Sequence, residues 1–162
     1  MREKALAWIV SILDEKVIPY SICGGLAANF YGSERPLNDI DLFVPESYFA
    51  TVVESCARYI SKPAQHYCEV AEGWDLVYVQ FIFAGTKIEV GNASNARIYD
   101  ASSSCWHTLN IDFQNTVRGE LLGTEVSVMP VADLIHYKSL LNRAVDQQDV
   151  LMLTGHRGAL PR

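Results

Sequence analysis

The chain has 162 residues, 49% hydrophobic and 20% charged, with a formal net charge of −6. That length suits one domain with its own core, and that composition excludes a disordered chain. The acid excess argues against a broad basic face for nucleic acid and leaves room only for a local basic groove. Cys23, Cys56, Cys68 and Cys105 show no C-x-x-C spacing. They fit neither a zinc site nor a disulfide scaffold, and read as small residues of a reduced, cytoplasmic protein. His66, His107, His136 and His156 are scattered and read as structural or exposed. No apolar run reaches membrane-spanning length, and Ala5–Leu13 is interrupted and flanked by acids, unlike a signal peptide.

In chain order, Arg2–Lys16 is predicted as an amphipathic helix, with Leu6, Ile9, Val10 and Leu13 at helical spacing. Ser21–Cys23 is predicted as a strand that enters Gly24-Gly25, where the missing Cβ permits a sharp turn or a close ligand. Leu26–Tyr31 is predicted as a short helix ended by Gly32. Asp39–Val44 alternates and then turns apolar, as a strand entering a core does. Pro45 stops it, and a helix follows from Glu46 to about Ile60.

Lys62-Pro63-Ala64-Gln65 is expected to be a loop. From Tyr67 to Val90 the chain reads β, with Leu76–Phe83 a central strand, Ala84-Gly85-Thr86 a turn and Lys87–Val90 its hairpin partner. Gly91–Ser104, small and polar, is expected as a loop. Trp106–Ile111 and Thr124–Val128 follow as strands. Pro130 opens a helix over Val131–Asn142, and Asp146–Leu153 begins another. The expectation is an α/β (α+β) fold: a mixed sheet of about five strands backed by helices, one domain over residues 1–162, with a core at about 1–128 and a helical tail at about 131–156.

Asp39 and Asp41 carry the chemistry. Two residues apart on a strand they face one way, about 6.6 Å apart at the backbone. Their repulsion is about 2–3 kcal/mol at an effective dielectric of 20. A hard cation such as Mg²⁺, which prefers carboxylate and phosphate oxygens, would turn that cost into a gain. Backbone N–H groups at a glycine turn that opens a helix form an anion site. A phosphate site joined to a metal site by residues 26–38 points to a nucleoside triphosphate held with its metal. The stretch is neither a dinucleotide fingerprint nor a P-loop.

Gly24-Gly25 followed by Asp39-Ile40-Asp41-Leu42 resembles the signature of the DNA polymerase beta-like nucleotidyltransferase superfamily, above all its small bacterial members of the lincosamide, minimal and toxin types. The resemblance implies a glycine turn that holds the triphosphate and acids that bind two Mg²⁺ ions. It implies a third acid on a later strand, which Glu89 matches by position although the superfamily usually has Asp; Asp75 and Asp112 compete for that role. Arg35 matches a basic residue of the loop, whereas Asn38 departs from the Ser or Thr usual before the first acid. Lys138, Arg143, Asp146 and Asp149 resemble the tail of such enzymes, where the lysine and arginine lie near the nucleotide. The implied activity is transfer of a nucleoside monophosphate from an NTP to an acceptor hydroxyl on a small molecule, a tRNA end or a protein. A non-catalytic nucleotide-binding or toxin–antitoxin module with the same fold is the alternative, and the third carboxylate discriminates between them. A phosphohydrolase would want further histidine or aspartate ligands near the pair.

Overall fold

A computed structural model describes residues 1–155; His156, the last residue of the expected tail, lies outside the described residues. α1 (Arg2–Glu15) buries Ala5, Leu6, Ile9, Val10 and Leu13, the stripe its spacing predicts. β1 (Ser21–Cys23) runs directly into α2 (Gly24–Phe30), and β2 (Asp39–Val44) follows. α3 (Glu46–Ser55) ends short of the expected Ile60: a 3-10 turn at Ala57–Tyr59 intervenes, and Ile60 opens β3 (Ile60–Glu69). β4 (Trp74–Phe83) and β5 (Thr86–Asn92) form the expected hairpin. Its two-residue turn holds Ala84 at φ 48° and Gly85 at φ 71°, the left-handed pair that a tight hairpin of matching twist requires. β6 (Arg97–Asp100), β7 (Cys105–Thr108), β8 (Val117–Leu121) and β9 (Thr124–Val128) precede α4 (Val131–Leu141) and α5 (Ala144–Gly155).

The strands form one mixed sheet in the order β7-β6-β4-β5-β2-β1-β9-β8, with β3 paired along β4. The pairs β2–β5 and β1–β9 are parallel; the others are antiparallel. The α/β class is as expected, but among the described residues the sheet has nine strands rather than about five. Of the additional ones, β3 and β8 lie at sheet edges and β6 is a four-residue strand between β4 and β7. β3 contains the expected loop Lys62–Gln65, where Pro63 falls at a register shift, the place an edge strand tolerates a residue without an N–H. β6 falls inside the expected loop, and β8 is mostly exposed, so neither displays an apolar alternation.

Alternation separates the two faces of the central strands. Ile40, Leu42, Val44, Ile88, Val90, Val79 and Phe81 are buried on the back, where α1 meets β5 and β9 and α3 meets β5. Asp39, Asp41, Lys87 and Glu89 stand on the front. α2 lies against β1 and β2 and contacts α4 and α5. Among the described residues no helix is long and apolar enough to cross a membrane.

Candidate active site

Parallel pairing of β2 with β5 sets Asp39 beside Lys87 and Asp41 beside Glu89. Neighbouring strands lie about 4.8 Å apart, so four charged side chains form a rectangle on one face. One carboxylate oxygen from each of Asp39, Asp41 and Glu89 lies within 4.8 Å of the others. Lys87 Nζ is 3.2 Å from Asp39 Oδ2 and 3.6 Å from Glu89 Oε1. Burial and the neighbouring charges of Asp39 and Glu89 push the Asp41 carboxyl well above the usual carboxylate range, against a smaller pull from Lys87. The site thus carries an excess of negative charge that a cation would relieve.

The glycine turn abuts this cluster. Cys23 pairs with Asp41 across β1 and β2, and Gly24 follows at φ +65°, a conformation that glycine adopts without cost. A methyl group at Gly24 would collide with the Asp41 carboxylate. One at Gly25 would come within 2.5 Å of Leu37 Cδ2 and 2.6 Å of Arg35 Nη2. Both glycines let side chains of the site close on the backbone. The Gly24 N–H donates to Tyr137 Oη at 2.6 Å. Tyr137 is buried in α4, and burial first of all raises its hydroxyl well above the ordinary tyrosine range, so it stays neutral.

Behind the turn lies a network of five charges. Asp149 accepts from Arg35 Nε at 3.1 Å and Nη2 at 3.0 Å, a two-pronged pair, and from Lys138 Nζ at 2.9 Å. Lys138 Nζ also reaches Asp146 Oδ1 at 3.4 Å, and Arg143 Nε donates to Asp146 Oδ2 at 2.7 Å. Asp146 and Asp149 have no exposed surface and the Lys138 side chain is 2% exposed, whereas that of Arg35 is 20% exposed. Three cations and two carboxylates leave one net positive charge beside the glycine turn. Burial would raise the Asp149 carboxyl, but hydrogen bonds from Arg35 and Lys138 outweigh it and hold it below the usual range.

Gly24, Gly25, Arg35, Asp39, Asp41, Glu89 and Lys138 all line one cavity of about 570 Å³. The other candidate acids lie elsewhere. Asp75, on the back of β4, accepts from Arg97 Nε at 2.7 Å and pairs with His66. Asp112 accepts the Gln114 N–H at 3.0 Å in the connection before β8. Sequence reasoning missed Tyr137, because with Leu134 and Leu141 it reads as one more core position of α4. It also missed Trp74, Tyr78 and Tyr67, which line the same cavity and carry only a strand-like signal.

The fold that carries this cluster is shared with solved nucleotidyl- and adenylyltransferases. A Thermotoga maritima protein provisionally classed as a nucleotidyltransferase superposes with a TM-score of 0.69 at 17% identity, covering 95% of this chain and 92% of its own. ANT(2″)-Ia, solved with adenylyl-2″-tobramycin, matches with a TM-score of 0.63 at 11% identity over 97% and 90%. The lincosamide antibiotic adenylyltransferase LnuA, solved with lincomycin, matches with a TM-score of 0.59 at 10% identity over 93% and 95%. At these identities the likeness is one of fold. No family model matches the sequence, and no curated protein does.

Proposed function

We propose that this chain is a single-domain, Mg²⁺-dependent nucleotidyltransferase that moves a nucleoside monophosphate from an NTP to an acceptor hydroxyl. The observation that carries the reading is the convergence of Asp39, Asp41 and Glu89 beside the glycine turn. Three carboxylates with no nitrogen or sulfur ligand fit a hard divalent cation. The Lys87 ammonium against two of them is a second sign that the spot draws positive charge. Nucleotidyl- and adenylyltransferases among the structural neighbours support the reading. So does the third carboxylate, which discriminates catalysis from binding alone.

In this scheme Asp39, Asp41 and Glu89 would hold Mg²⁺, which would neutralise charge on the triphosphate and the leaving pyrophosphate. The Glu89 carboxylate takes the proton of the acceptor hydroxyl as its oxygen attacks the α-phosphorus and the bond to pyrophosphate breaks. Gly24 and Gly25 let phosphate approach the backbone. Arg35, a partly exposed cation of the network close to Gly25, contacts phosphate, and Lys138 supports it through Asp149. The cavity lining also includes Tyr67, Tyr78 and Trp74 with Glu69 and Glu72, chemistry suited to a hydroxylated small molecule with a ring face and a basic group. Such an acceptor agrees with the lincomycin and tobramycin moieties in the neighbours. The free thiols and the absence of a spanning helix among the described residues fit a cytoplasmic setting.

The test is incubation with each labelled NTP, Mg²⁺ and a panel of hydroxylated acceptors and cell extract. Label should pass to an acceptor with wild type. Glu89→Gln should bind Mg–NTP near normally while transfer falls by orders of magnitude. Binding by wild type without any transfer would instead favour the non-catalytic module.

A further inference from the structure

We propose that Lys87 is a resident counter-ion of the acidic cluster that yields to the metal and then pairs with the substrate's phosphates. The inference rests on the nucleotidyltransferase reading of this site and adds a coupling between its two ligands. Lys87 stands directly beside Asp39 in the β2–β5 register and two residues before Glu89, on the same face. Its ammonium bridges the two acids at 3.2 and 3.6 Å.

The other cations around the cavity are committed elsewhere. Arg35 and Lys138 pair with Asp149, Arg143 pairs with Asp146, and Lys62 donates to Tyr78 Oη beside the Tyr67 ring. Lys87 therefore neutralises part of a three-carboxylate cluster in the metal-free protein. A divalent cation that takes the oxygens Lys87 now bridges, Asp39 Oδ2 and Glu89 Oε1, competes with the ammonium for them, because like charges that close repel.

The displaced group does not leave the site. β5 is held by β2 on one side and β4 on the other, so the Lys87 backbone stays fixed. The side chain is 39% exposed, and its flexible four-carbon stem can swing along the cleft. A triphosphate arriving with the metal gives the ammonium new anionic partners. Metal alone must expel Lys87 without compensation; metal with nucleotide gains a compensating pair. Each ligand then strengthens the other through this one side chain, and the coupling is reciprocal.

The test is Mn²⁺ binding by electron paramagnetic resonance, with and without a non-hydrolysable NTP analogue, on wild type, Lys87→Met and Lys87→Arg. Lys87→Met should bind Mn²⁺ alone about tenfold more tightly than wild type, since one opposing charge is gone. With the analogue present that advantage should vanish or reverse, so the analogue's enhancement of Mn²⁺ binding shrinks. Lys87→Arg, which keeps the charge, should stay near wild type. If wild type binds Mn²⁺ with the analogue and Lys87→Met binds Mn²⁺ alone no more tightly, the lysine exchange is wrong and the site reading stands. If wild type binds no Mn²⁺ even with the analogue, the site reading fails and takes the exchange with it.

Discussion

Asp149→Asn tests whether the buried charges behind the glycine turn hold the site together. The substitution keeps the side-chain shape and removes one of two carboxylates that face three cations. Asp149 has no exposed surface and accepts two bonds from Arg35 and one from Lys138. Breaking a buried pair by neutralising one partner costs about 3–5 kcal/mol. Partial exposure of Arg35 lets water take up some of the loss there, so about 2–4 kcal/mol is expected. For a chain of this size each kcal/mol lowers Tm by about 2–4 °C, giving a drop of about 4–16 °C. Urea denaturation with an unchanged slope and a lower midpoint would report it. Asp112→Asn, in an exposed connection, is the control and should stay within about 0.5 kcal/mol of wild type. The carboxyl of Asp149 is held below its unfolded value, so its contribution is complete above the ordinary aspartate pKa of about 3.9 and is lost as pH falls through the folded value. The gap between wild type and Asp149→Asn should therefore narrow on acidification below about pH 4. A loss under about 1 kcal/mol at neutral pH would refute the argument, because a buried carboxylate bridging two cations cannot cost so little to neutralise.

Gly24→Ala combines left-handed strain of about 1–3 kcal/mol with a collision against Asp41. Calorimetry should show weakened Mg–NTP binding, and unchanged affinity in a folded variant would return the glycines to an ordinary turn. Tyr137→Phe keeps the ring against Trp74 but leaves the Gly24 N–H without its acceptor, at a cost of about 1–3 kcal/mol. NTP affinity should fall severalfold along with stability; a melt and a nucleotide titration matching wild type would show that the hydroxyl does not hold the turn.

The legible part of the site was the part encoded locally. Asp39 and Asp41 betray themselves by period-two spacing and Gly24-Gly25 by composition, whereas Glu89 is marked only by the resemblance, with Asp75 and Asp112 competing for the role. What joins them is not local. The choice of β5 as parallel neighbour of β2 puts Glu89 beside Asp41 and Lys87 beside Asp39, and no single stretch specifies that register. Arg35 and Asp149 are 114 positions apart, so their pairing has no periodic signature. Tyr137 shares the spacing of core residues, and only its hydroxyl at the Gly24 N–H gives it a second task. In the fold, the strongly patterned strands were visible, whereas β3 and β8 were hidden by proline, polarity and exposure. Those are the properties that keep sheet edges from recruiting other chains.

The position of β1 in the sheet bears on how the protein is born. β1 carries the glycine turn and has β2 on one side and β9 on the other, with Ile22 opposite Val128. Synthesis runs from the N-terminus at about 5–20 residues per second, so β1 and β2 emerge seconds before β9 exists. Until then the β1 edge displays unpaired backbone groups, a template that another nascent chain could join. The anchors of Arg35 come later still, with Lys138 and Asp149. Loop-closure entropy of that span is lost before its contacts form, which slows the final step. A ribosome stalled before Thr124 should therefore present a chain with Asp39, Asp41 and Glu89 already made, an open sheet edge, and neither Lys138 nor Asp149 to anchor Arg35.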